Sequence, residues 1–488
     1  MDRGSEIVQL TRWGPIEGCS TVGECNECDK SDTQQPHLVK QKRANKDIEF
    51  RATLGGKPSC GDPPKRLNHT GSTSTLSFPG IGSETSNFFH PYSSIAIGRN
   101  YILQAAGTQI GVYNKQGRHF ATIPVGDNIF YNTVTEQVLA VLYDPYSDRF
   151  VIAVNRVRNT DDPVTVVDPY IGFAISKGSN PLSDGWYRYM LPLDAPGTRP
   201  FQLKLGAWHD GIYLSVFNDK LSRMAVINRE SILCGDPLVA LYCVGGNKTT
   251  MPPNVGVTLP PKQESGYFAS FEAEHVDLTE CRINWDKFSG QARKICLSLD
   301  YSLAGIGVAA QNETNVKIVY GLKTDTGSQM QAQYSHIDGR SSYWVSMANK
   351  DGLVWLEIVV KKGCKPKIAQ QQQILNDGGL VRFSSSMAVN KSGSVVLTAT
   401  QSSALTFPST VYFYRFHNDP PNLMTKANIL IEGTGSATHV TVPVNGTVWG
   451  YNSVQVDPVD TTTFFVCGEW YKTTTSDWWS TTVKNLKL

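Results

Sequence analysis

One two-strand signature recurs along this 488-residue chain and constrains its fold more than any other feature. In "VLYDPYSDRFVIAVNRV" (141–157) an apolar-alternating run ends on Asp-Pro, crosses a short polar turn and continues into a second β-rich run. "VQVDPVDTTTFFV" (454–466) repeats that order about 310 residues later. That copy spans 452–470; further ones stand at 93–117, 203–218 and 385–403, with weaker ones at 265–275 and 345–359. A four-stranded antiparallel unit repeated every ~40–60 residues is the mark of a β-propeller. One unit cannot bury both of its faces. Packing units around an axis buries them against each other, and closing the ring removes most sheet edges. Seven starts over about 400 residues predict an all-β fold, a β-propeller of seven blades, with six as the alternative. Two stacked β-sandwiches would compete, but one signature spanning the whole region argues against them. The repeated Asp-Pro reads as a turn device, because Asp tolerates turn geometry and Pro presets φ, and not as a pair of catalytic aspartates.

Residues 1–80 differ from the rest: they hold four cysteines and little periodicity, and read as an irregular N-terminal arm, stapled by disulfides or reaching a neighbour. Residues 81–488 are assigned to the propeller. Within them "IAQQQQIL" (368–375) is the best candidate for a helix. Charged residues are only 18% of the chain and the formal net charge is +2, without the Lys/Arg stripe of a nucleic-acid binder. The basic run "KQKRANK" (40–46) reads as a solvated linker or a protease-sensitive site. No stretch of ~18 apolar residues is present, so no helix is expected to span a membrane. The first residues show no apolar core of a signal peptide.

The cysteines nevertheless suggest an oxidising compartment. Cys234 and Cys243 are nine apart, and Cys281 and Cys296 fifteen apart around a turn. Both spacings suit hairpin-closing disulfides, which leaves Cys364 and Cys467 for each other. Cys19, Cys25, Cys28 and Cys60 make two further disulfides or, less simply, a zinc site. Disulfides at this density predict an extracellular or cell-surface protein. Glycosylation tripeptides stand at Asn68, Asn247, Asn312, Asn390 and Asn445, a number that chance alone supplies in a Ser/Thr-rich chain.

The blades resemble those of a mostly uncharacterised type of secreted bacterial β-propeller. The resemblance rests on "SIAIGRNYILQ", "YDPYSDRFVIAV", "AISKGSNPLSDGWYRY" and "LKLGAWHDGIYLSV", in that order, and on the closing "YNSVQVDPVDTTTFFVCGEW". It covers 88–218 and 450–488 well and the middle poorly. It implies the fold and a surface or secreted role, and offers no catalytic residues. The inserted cysteines and the Cys-containing arm depart from it.

Reactive motifs are scarce. "SNPLSDGWYRY" (179–189) is faintly like the turn-stabilising Asp box of sialidase propellers, without a marked arginine cluster. In "WHDG" (208–211) His and Asp are adjacent, and on a strand adjacent residues face opposite ways, so a turn is the simpler reading. Asp144, Asp148, Asp161, Asp162 and Asp168 offer oxygens for Ca²⁺ but lack a calcium-loop spacing, so no cofactor and no metal is assigned. Loop aromatics are the best lead to a ligand site: Trp470, Tyr471, Trp478 and Trp479, with Trp186 and Tyr187, either stack on a ligand or fill the space between blades. The expectation is a non-catalytic, secreted or surface-exposed module for binding, adhesion or recognition of a glycan or protein. The alternatives are a structural subunit of an extracellular homo-oligomer or filament built through the N-terminal arm, and a glycoside hydrolase working in the axial funnel.

Overall fold

Seven antiparallel sheets stand around one axis, as the seven repeated starts require. The computed structural model describes residues 8–9, 12–15, 76–85, 92–130, 135–157, 169–192, 202–217, 222–321, 330–377, 379–438, 446–447, 452–474 and 479–488. The innermost strands, in order, are Ser94–Ile97, Thr135–Asp144, Gln202–Trp208, Pro253–Val255, Ala332–Ile337, Val381–Val389 and Ser453–Val456. Each packs on the next, and the seventh on the first. Neighbouring blades approach closely: a Cβ on Gly206 of blade 3 would sit 2.2 Å from the Pro253 carbonyl oxygen of blade 4. Blade 4 is the irregular one. Its inner strand Pro253–Val255 pairs in parallel with Ala332–Ile337 of blade 5, while Gly266–Phe271, His275–Asn284 and Ser289–Ser298 form its sheet. A hairpin of Ile306–Gln311 and Thr314–Gly321 is inserted between blades 4 and 5 and packs on blade 6.

The ring is closed by chain from before blade 1. Ser77–Gly82 is the outer strand of blade 7, antiparallel to Trp479–Lys487. The boundary expected at residue 80 falls inside this strand. Two pieces of the N-terminal arm are also described. Val8–Gln9 adds in parallel to the outer strand Trp186–Pro192 of blade 2, and Arg12–Pro15 to Val239–Val244 of blade 3. Cys19, Cys25, Cys28, Cys60, Asn68, Asn445 and Trp478 lie outside the described residues.

Both Asp-Pro turns have one construction. Asp148 N–H donates to the Asp144 carbonyl at 3.0 Å, and Thr461 N–H to that of Asp457 at 2.9 Å. Each aspartate side chain accepts the N–H two residues on, at 3.3 Å from Tyr146 and 2.7 Å from Val459. Asp148 and Thr461 both close the turn at positive φ, +55° and +60°. Each turn also meets a cation that follows the third strand of the next blade around the ring. Arg229 Nε lies 2.8 Å from Asp144, and Lys115 Nζ 2.5 Å from Asp457. The Asp-Pro turn shared by blades 2 and 7 is therefore a turn that latches each of these blades to the next.

Two expectations fail on strand register. Residues 368–375 are not a helix: Lys367–Leu375 is the outer strand of blade 5, paired with Gly352–Val360. Its glutamines lie where the ladder uses them, Gln372 accepting the Trp355 indole N–H at 2.8 Å and Gln370 donating to Glu357 at 2.6 Å. Tertiary pairing overrides the helix propensity of a Gln-rich run. Cys281 and Cys296 stand on neighbouring strands but four residues out of register, opposite Ala292 and Asp277. That offset puts them beyond disulfide reach, and neither is disulfide-bonded; nor are Cys364, exposed in a turn of blade 5, and Cys467, buried in blade 7. Cys234 and Cys243 are each disulfide-bonded. Burial pushes the Cys467 thiol up to about 12 and the Cys281 thiol further still, and the thiolate is the reactive form. Alkylation of native protein at mildly alkaline pH should therefore label Cys364 first and reach Cys281 and Cys467 only on unfolding, as peptide mass spectrometry will read. Equal labelling of all three would contradict this packing.

Candidate functional site

The axis itself is crossed by side-chain amides. Gln331 Oε1 accepts from Asn254, Gln333 and Gln455 at 3.2, 3.1 and 2.8 Å, and its amide donates to the Leu205 carbonyl at 2.8 Å. These bonds tie blades 3, 4, 5 and 7 across the centre, so the funnel holds a polar plug.

The larger opening is off the axis, a cleft of about 560 Å³ where blades 3, 4 and 5 meet. Its walls come from turns and from the strands of blade 4. His209 and Asp210 are the two central residues of the hairpin turn between Gln202–Trp208 and Gly211–Phe217. Glu264 precedes Gly266–Phe271, Glu280 and Arg282 end the next strand, Arg293 stands across from Glu280, and Lys361 to Cys364 form the outer turn of blade 5. Arg229 fixes the His209 turn: its guanidinium donates to the carbonyls of His209, Gly211 and Trp208 while it holds Asp144. Behind the cleft Trp208 is fully buried, edge-on to Tyr334 at 4.9 Å and stacked on Tyr343 at 5.7 Å.

Two carboxyl groups carry the chemistry of this cleft. Glu264 Oε2 accepts from the hydroxyls of Tyr334 at 3.1 Å and Ser341 at 2.8 Å, and Asp210 Oδ2 from Tyr213 at 3.3 Å. The other oxygen of each, Glu264 Oε1 and Asp210 Oδ1, is shielded from solvent and has no hydrogen-bond partner. Burial is the main cause that raises both carboxyls above the ordinary range, against the lowering pull of His209 and the bonded hydroxyls. Cations occupy the rim. Arg282 and Arg293 bracket Glu280 at 2.8 and 2.9 Å while remaining 63% and 59% exposed, so each can still meet a ligand. Lys262, Lys361 and Lys362 complete a lining of five cations against three carboxyls.

The raised carboxyls give a signed expectation. A carboxyl whose folded pKa is raised contributes stability that is full below the unfolded pKa and lost as pH rises through the folded one. Glu264→Gln keeps an acceptor for Tyr334 and Ser341 and removes the charge. It should match the wild type at about pH 4 and become the more stable protein as pH climbs to about pH 8, as denaturant titrations across that range will measure. A constant difference between the two would contradict the buried-acid assignment.

The residues picked from the sequence lie elsewhere. Tyr471 and Trp479 are 1% and 0% exposed and pack in the core beneath blade 7, and Trp470 is half-buried with its indole donating to Thr482 at 3.0 Å. They fill space between blades. Trp186 donates to the Pro181 carbonyl at 3.1 Å, and Tyr187 lies under Lys177 at 5.0 Å, both on the outer strand of blade 2. Asn247 and Asn390 spend their amides inside turns, donating to Phe271 at 2.9 Å and Thr462 at 3.3 Å, and Asn390 is fully buried; Asn312 is half-buried at the tip of the inserted hairpin. "WHDG" was the one signal for the cleft. Its adjacent His and Asp share it because they are turn residues, to which the alternation of a strand does not apply. Glu264 and the two arginines had no local signal.

No family model matches the chain, and no curated protein does. Among solved structures it is similar to the WD40 domain of SCAP from fission yeast, at 9% identity and a TM-score of 0.34, covering 84% of this chain and 98% of that one. It is similar to the polysaccharide lyase Uly1 at 9% identity and a TM-score of 0.33, covering 82% and 90%. It is also similar to the Trypanosoma rangeli sialidase in complex with the inhibitor DANA, at 8% identity and a TM-score of 0.26, covering 80% of this chain and 58% of that one. Likenesses this weak transfer no activity. The propeller is read from the ring of strands itself.

Proposed function

We propose that the chain is an extracellular recognition propeller that binds a glycan in the cleft between blades 3, 4 and 5. The observation that carries this is a cleft of about 560 Å³ whose lining brings the carboxyls of Asp210 and Glu264 together with five cations. A carboxyl accepts from the hydroxyls of a sugar, and a few placed polar groups in a cleft set the orientation of a ligand. The exposed guanidiniums of Arg282 and Arg293 add contacts for an acidic substituent. The disulfide-bonded Cys234 and Cys243 support an oxidising compartment.

A glycan array followed by calorimetry tests the proposal. Glu264→Gln and Arg293→Ala should each weaken the best hit by about ten-fold or more, the scale of one to two lost polar contacts. Binding that is untouched by both variants would refute the site. Turnover of the bound glycan, lost in Asp210→Asn, would replace recognition by hydrolysis.

A further inference from the structure

We propose that His275, Asp277 and Cys296 form a binding site for a zinc-class divalent metal at the outer edge of blade 4. His275 and Asp277 are two apart on His275–Asn284 and so share one face of the sheet. Cys296, on Ser289–Ser298, stands directly opposite Asp277 in the ladder. One donor atom from each of the three lies within 4.8 Å of the others. His275 Nε2 is 3.4 Å from Asp277 Oδ1, while Asp277 Oδ2 is held by Lys294 Nζ at 2.7 Å. The two carboxylate oxygens thus have separate tasks: Oδ1 faces the imidazole as a one-oxygen ligand, and Lys294 fixes the group from the other side. Outer partners of this kind orient a ligand and sharpen affinity.

The donor set selects the metal. Imidazole nitrogen, carboxylate oxygen and thiolate sulfur together suit zinc, which takes them at ~2.0–2.3 Å in a tetrahedron, whereas calcium and magnesium want oxygen alone. Tetrahedral ligand atoms at those bond lengths stand ~3.3–3.8 Å apart, so the three donors need close in by only about 1 Å. Asp277 is 6% exposed and His275 27%, which leaves a solvent-side approach for the metal and for water as a fourth ligand. Binding converts the Cys296 thiol to a thiolate and releases its proton to water, so affinity rises with pH. The metal would clip the two outer strands of blade 4, a sheet of three strands among the described residues. The same two strands carry Glu280, Arg282 and Arg293 to the cleft.

The full chain, with its disulfides intact and stripped of metal, is titrated with Co²⁺ and then with Zn²⁺. The expected result is one Co²⁺ per chain with a thiolate-to-cobalt charge-transfer band, lost on adding Zn²⁺. Cys296→Ser should abolish the band. His275→Gln, which keeps the thiol, and Lys294→Met should each weaken binding by about ten-fold or more, while Cys364→Ser leaves it unchanged. A band that survives Cys296→Ser, or an affinity unaltered by His275→Gln, would overturn the site and place any bound metal on other cysteines. These readouts are independent of the glycan.

Discussion

Arg229→Met should destabilise the propeller by about 3–5 kcal/mol, the cost of stranding a buried charge. Asp144 has no exposed side-chain surface, and its Oδ2 would lose the guanidinium 2.8 Å away. The carbonyls of Trp208, His209 and Gly211 would lose their donor in the same step. Methionine restores volume and none of these bonds. Lys115→Met cuts the equivalent latch between blades 7 and 1 but frees a single ion pair, 13% and 9% exposed. It should cost less than half as much. Denaturant titration of the two variants tests the comparison, and Asp144→Asn in the Arg229→Met background should recover part of the loss by removing the orphaned charge. Equal midpoints for wild type and Arg229→Met would show that the latch does not hold the blades together. Arg229 also fixes the turn bearing His209 and Asp210, so its loss should weaken glycan binding under conditions where the protein stays folded.

The repeated turn was legible because it is local. Asp144 and Asp457 act on N–H groups within four residues, and such geometry is written in consecutive positions. The blade count followed from it, since each blade repeats one local pattern. The cation that completes each latch was not legible. Arg229 and Lys115 lie 85 and 342 residues from their aspartates, and only the ring brings them together. The cleft failed to show for the same reason: Asp210 and Glu264 come from two separate turns and Arg293 from a strand, with no common spacing. The aromatic run shows a physical limit of sequence reading. Trp and Tyr supply the area that fills wedges between blades, and a run such as 468–480 looks alike whether its rings face solvent or core; Tyr471 and Trp479 face the core. The cysteine pairing failed on register, which spacing around a turn cannot give when the hairpin has its turn at 285–288 and its cysteines at unequal distances from it.

Replacing Ser77–Gly82 with a Gly/Ser segment of equal length should have the largest effect of all, because it opens the ring while keeping the rest of the arm and its cysteines. The strand inserts Phe78 and Ile81, 6% and 3% exposed, into the core. Losing both side chains costs roughly 3–6 kcal/mol of burial. The Ile81 N–H donates to Gln104 of blade 1 at 2.9 Å, and the Ile81 carbonyl accepts from Thr481 of blade 7 at 2.7 Å. A glycine or serine backbone that fails to hold this register would leave the buried Gln104 and Thr481 short of partners, for a further ~1–3 kcal/mol. The total, roughly 4–9 kcal/mol, is comparable to the whole stability of a typical folded domain. The expected outcome is an aggregating or unfolded chain, because Trp479–Lys487 becomes an open edge strand. Phe78→Ala alone is the graded version, with a loss of about 3–4 kcal/mol read from its denaturation midpoint. If the Gly/Ser chain instead folded with a wild-type midpoint, the blades would be held by their mutual packing and by the latches at Asp144 and Asp457, and strand closure would be dispensable.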